Sequence, residues 1–100
     1  MIGDPTAIRA HAHALRRRAD EIHDLARHLT DAAQSAAWQG RAAEAMRAAV
    51  RHSAGCLRRT AALHDEAAEA LEHHARRVGI VQDALDSAVD AIGHVLGALG

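Results

Sequence analysis

From residue 8 to residue 33 a large aliphatic side chain returns every seven positions, at Ile8, Leu15, Ile22 and Leu29. Alanine keeps the same step four positions later, at Ala12, Ala19, Ala26 and Ala33. Both sets fall on one stripe of an α-helix, with one large row and one small row. Asp4-Pro5 predicts where that helix begins. A carboxylate accepts from the free amides of the first turn, and proline at the first helical position gives up an N–H that has no partner anyway. No glycine or proline follows until Gly40, so the pattern predicts a helix over about residues 5–36 and a reversal at Trp38-Gln39-Gly40.

Beyond Gly40 the heptads resume and run longer. One row holds Val50, Leu57, His64, Leu71, Val78, Leu85, Ile92 and Leu99. The row three positions on, Ser53, Thr60, Ala67, His74, Val81, Ala88 and Val95, is read as its companion. A second helix is predicted over about residues 41–92, with Gly55 and Gly79 costing about 1 kcal/mol each relative to alanine. Gly93, Gly97 and Gly100 predict a frayed C-terminal tail.

Folding the two rows back on each other gives a register. Ile8 falls opposite Leu71, Leu15 opposite His64, Ile22 opposite Leu57 and Leu29 opposite Val50, all about one midpoint inside Trp38–Gly40. Heptad phase and breaker position therefore agree on an antiparallel hairpin. In that register the first helix runs out while the second continues through Val78, Val81, Leu85, Ala88, Ile92 and Val95. Flanking positions are apolar too, including Leu25, Cys56 and Leu63, so the stripe is wider than one neighbour covers. The expected architecture is all-α, an antiparallel helix-turn-helix hairpin of two long helices that completes a four-helix bundle as a dimer. Leu25, Cys56, Leu63, Val78, Val81, Leu85 and Ile92 are the expected partner interface.

Composition narrows the function classes. With 100 residues the chain makes a single domain, too small to bury a large core alone. Twelve basic residues, all arginine, balance 13 acids to a formal net charge of -1, which argues against nucleic-acid binding. The rival reading uses the Arg-rich half, Arg16, Arg17 and Arg18 with Arg41, Arg47, Arg51, Arg58 and Arg59, as a nucleic-acid surface or places the chain as a cytoplasmic helical adaptor. The acidic block Asp65, Glu66, Glu69 and Glu72 falls near Arg16–Arg18 and opposes that reading. No apolar run approaches the length of a signal peptide core or a membrane span, so insertion into a membrane is not expected and any export would proceed without a cleaved leader.

Candidate chemistry is sparse. One cysteine excludes an internal disulfide. Among nine histidines, His52 lies one turn from Cys56, and the register sets His23 across from them, but three ligands without a supporting shell make a poor zinc site. No metal and no cofactor are expected. His64 and His74 fall on the seam rows, where protonation near their ordinary value of about 6.5 would place charge in an apolar contact and loosen the assembly in acid. A Gly-rich phosphate loop, a paired-metal motif and a nucleophile elbow are all missing, so no catalytic residues are expected and the chain is read as non-enzymatic.

One stretch carries a resemblance. In SAAWQGRAAEAM, residues 35–46, the only aromatic residue of the chain stands two positions before a glycine, followed by Ala42, Ala43 and Met46. Two long helices joined by Trp38-x-Gly40 resemble the WXG family of early-secreted-antigen-like proteins, helical-hairpin substrates of bacterial type VII (ESX-like) secretion. The resemblance covers nearly the whole chain. It implies export of a folded homodimer, or of a heterodimer with a paralogous WXG-family chain, after recognition by the membrane-associated ATPase of the secretion machine. It also implies an actinobacterial setting, with which the wealth of Ala and Arg agrees. Family substrates often carry Tyr-x-x-x-Asp/Glu after the second helix, and this chain has no tyrosine. The partner then brings that signal, or this chain escorts a substrate. An indole at the hairpin tip offers a large apolar face and one N–H donor, so Trp38 is expected to plug the end of the core and to meet the export machinery.

Overall fold

The computed structural model describes residues 3–99 and contains two helices, α1 (Pro5–Ser35) and α2 (Arg41–Leu99). They form a hairpin. Asp4 caps α1, its side chain accepting from the Thr6 amide at 3.0 Å, with Pro5 in the first turn. At 59 residues and about 1.5 Å per residue, α2 is about 88 Å long, which is the long dimension of the 89 × 15 × 14 Å molecule. Helix α1, with 31 residues, lines only about half of it.

Alanine makes the interior. Ala12, Ala19, Ala26 and Ala33 of α1 and Ala54, Ala61, Ala68 and Ala75 of α2 are buried, and no large side chain among the described residues is fully buried. The aliphatic rows Ile8, Leu15, Ile22, Leu29 and Val50, Leu57, Leu71 stand half-buried along the edges of this alanine seam. Methyl groups facing methyl groups let the two backbones approach at the close end of the usual 8–10 Å between packed helices.

Two features correct the sequence-based register. The inner companion of the Val50–Leu57–His64–Leu71 row is the alanine row four positions on, not Ser53, Thr60, Ala67 and His74, of which all four are exposed. Both helices thus present the same four-residue offset, large then small. The second correction is longitudinal. Arg16 is bonded to Glu72, and Leu15 borders the same depression as Leu71, where the sequence-based register set Leu15 against His64. The helices are displaced by one heptad. Residues 36–40 explain the shift, because they do not form a tight reversal. Ala36 leaves α1 extended, at φ -63 and ψ 130, and a link of five residues can span up to about 17 Å, enough to lie along the first turns of α2.

The shift moves Val78 inside. It is only 6% exposed, so Val78 belongs to the intrachain core near the start of α1 and is withdrawn from the expected partner interface. Past it the covering helix ends, and Val81, Leu85, Val89, Ile92, Val95, Leu96 and Leu99 are exposed. Nor does α2 close near residue 92. It continues to Leu99, since Gly93 and Gly97 lie where only helix propensity, not packing, is lost.

Candidate functional site

The most distinctive local structure is the link, residues 36–40, with the arginine that holds it. Helix α1 ends with no basic residue in its last turn, so its C-terminal carbonyls lack a local cation. Arg47, two turns into α2, supplies one from across the hairpin. Its Nε donates to the Ala33 carbonyl at 3.1 Å, and its Nη2 donates to the carbonyls of Ala36 at 2.9 Å and Trp38 at 2.8 Å. A planar guanidinium with fixed donors suits three carbonyls at once better than a lysine would. In the sequence Arg47 stands out only as part of a general basic surface. The signal that could have found it was the missing cation at the end of α1.

Gly40 completes the link. Its φ of 95 lies in the region that L side chains avoid, and its carbonyl accepts from the Glu44 amide at 3.0 Å as α2 begins. A Cβ there would touch nothing within 4 Å, so glycine is required by backbone conformation and not by space.

Trp38 does not plug the core. It is 64% exposed, because the link runs outside the helices and the alanine seam leaves no opening wide enough for an indole. The backbone of Trp38 is held by Arg47 while its ring faces solvent. That is the geometry of a presented side chain.

The two flanks of the hairpin differ. On one, Arg16 makes a two-point bond with Glu72, Nε to Oε1 at 2.9 Å and Nη2 to Oε2 at 3.0 Å, with Asp65 at 3.8 Å. Hydrogen bonding to Arg16 holds the Glu72 carboxyl below its ordinary range, and the same bond raises the affinity of the Arg16 guanidinium for its proton. Arg9, His13 and Arg76 extend this ionic flank around Glu72. Part of the Arg-rich half is therefore neutralised within the chain. Elsewhere Arg27 pairs with Asp24 on α1. The opposite flank carries Leu25, Cys56 and Leu63, all exposed, with Ala32, Thr60, Ala67 and Ala70 around them.

The remaining candidates separate. Cys56 is exposed, with Arg59 Nη2 at 3.0 Å and His52 Nε2 at 3.8 Å from its sulfur. His23 does not join them, as the heptad displacement carries it away. No group of three His, Cys, Asp or Glu side chains is gathered for a metal among the described residues. His64 stays on the inner row, half-buried, and its Nδ1–H donates to the Thr60 carbonyl at 2.8 Å. His74 is exposed, on the outer side of the true alanine row, so it leaves the expected pH-sensitive seam. No described helix is long and apolar enough to cross a membrane.

The hairpin thus combines an alanine seam, an exposed tryptophan and uncovered apolar faces. The family is shown by sequence: the chain belongs to the family described as "Putative T7SS secretion signal domain", whose model matches residues 1–95. Membership supports a type VII secretion substrate, and a secreted substrate rather than an enzyme. No curated protein and no solved structure matches the chain significantly.

Proposed function

We propose that this chain is a small, non-enzymatic type VII substrate of the WXG kind, read by the secretion ATPase through its link. The observation that carries the reading is the solvent-facing indole of Trp38 on a backbone fixed by Arg47, within a chain of the secretion signal family. An exposed tryptophan is a poor use of the only aromatic side chain unless another molecule covers it. Export leaves by the type VII route. The Leu25, Cys56 and Leu63 flank receives a paralogous WXG-family hairpin, which brings the Tyr-x-x-x-Asp/Glu signal this sequence lacks. Leu25, Cys56 and Leu63 with the small residues around them make that flank more apolar than the ionic one, and so it suits helix-on-helix packing.

The test is secretion from a host with a competent type VII system. The chain is expected in the culture filtrate when the ATPase is present and only in cell lysate when it is deleted. Equal secretion in both hosts would overturn the proposal.

A further inference from the structure

The core seam does not stop where α1 stops. Continued along α2 with the offsets of the buried rows, it runs through Gln82, Leu85, Val89, Ile92, Leu96 and Leu99, all beyond the reach of α1. Val81, Ala88 and Val95 widen it on the side of the Leu25, Cys56 and Leu63 flank. The ionisable groups of this segment, Asp83, Asp86, Asp90 and His94, all lie off these rows. At 1.5 Å per residue the overhang from Val81 to Leu99 is about 28 Å long. It is half of a two-helix seam without the other half.

We infer that the missing half is the same segment of a second copy of this chain, packed antiparallel so that each overhang occupies the place that α1 leaves vacant. The rows match without a conflict. Around a twofold axis between Asp90 and Ala91, Leu85 meets the partner's Leu96, Val89 meets the partner's Ile92, and Gln82 meets the partner's Leu99. Every large side chain of the seam then faces another seam side chain, and Asp86 falls beside the partner's Gly93 instead of another acid. Sliding the partner one heptad toward α1 would drive the partner's Leu96 and Leu99 into the space where the first turns of α1 already lie. Sliding it the other way leaves Leu85 bare. The hairpin itself therefore fixes the register. With five large aliphatic side chains per copy at roughly 100 Å² each, the contact buries about 1,000 Å² in total before Val81 and Val95 add to it, the size a specific interface must clear. A copy needs no charge complementarity, which suits a face that carries no charge.

The geometry fixes a shape. Two rods of 89 Å overlapping by about 28 Å make a particle about 150 Å long, whereas two hairpins packed side by side stay close to the length of one. This partner completes the overhang and leaves the Leu25–Leu63 flank open, so it extends the proposed function without depending on export. Solution mass and scattering report on it; secretion does not.

The experiment measures mass by sedimentation and maximum dimension by small-angle X-ray scattering on the purified chain at micromolar concentration. A dimer about 150 Å long is expected. Ile92→Glu should weaken association at least about a hundredfold by setting a carboxylate into the twofold seam, while the thermal transition of the hairpin persists because Ile92 lies outside the intrachain core. Leu63→Glu should leave the dimer intact. A monomer at these concentrations, or a dimer near 90 Å that survives Ile92→Glu and is broken by Leu63→Glu, would overturn the inference.

Discussion

Arg16 on α1 and Glu72 on α2 hold each other through two parallel N–H···O bonds, and they record the register of the hairpin. The pair is only partly buried, so its worth lies in specifying alignment more than in stability. Its pH signature has a definite sign. The folded-state pKa of Glu72 is lowered, so the contribution is present above the unfolded value and is lost as pH falls through the lower folded one. An NMR titration of the Glu72 side chain should give a midpoint below that of a free glutamate, and Arg16→Ala should return it to the ordinary range.

The alanine seam sets a steric limit. Ala61 is fully buried opposite the α1 alanines, and there is no room for a branched side chain between backbones this close. Ala61→Leu should destabilise the hairpin by about 2 kcal/mol through overpacking. Ala62→Leu, one position round on the exposed face, should change stability by less than about 0.5 kcal/mol. Chemical denaturation of the two variants checks both values.

Much of this was legible in the sequence, and the errors have one origin. Asp4-Pro5, the seven-residue repeats and Gly40 placed both helices, because capping chemistry, helical period and a positive φ leave marks in residue type. Heptad phase alone, however, cannot distinguish registers seven residues apart. A midpoint at Trp38–Gly40 holds only for a tight turn, and the longer link moves α2 by one repeat. Val78 entered the core and His23 lost Cys56 for that reason. His74 leaves the seam for another reason: the aliphatic row of α2 is flanked by Ser53, Thr60, Ala67 and His74 on one side and by Ala54, Ala61, Ala68 and Ala75 on the other, and the heptad period alone does not say which faces inward. The size of Trp38 points to the core, yet a seam built of methyl groups has no site for it.

Gly40 offers a test that isolates the backbone. With no neighbour within 4 Å of a built Cβ, Gly40→Ala should cost about 1 kcal/mol through its φ alone. Gly40→Asn should cost less, since asparagine tolerates positive φ better. Thermal melts of the three proteins order them Gly, Asn, Ala.

Arg47 ties the end of α1 to the link. Replacing it by alanine removes the donors to Ala33, Ala36 and Trp38 and should cost about 1 kcal/mol. The more telling readout is the fluorescence anisotropy of Trp38, the single tryptophan of the chain, which should fall as the link loosens while far-UV circular dichroism stays helical.

Secretion of Trp38→Ala measures the role of the presented indole directly. Since Trp38 is exposed and outside the core, the variant should fold, melt and associate as the wild type does. Its amount in the culture filtrate of a type VII-competent host should nevertheless fall at least about tenfold, corresponding to loss of about 1.4 kcal/mol of recognition. Wild-type levels of secreted Trp38→Ala would contradict the account.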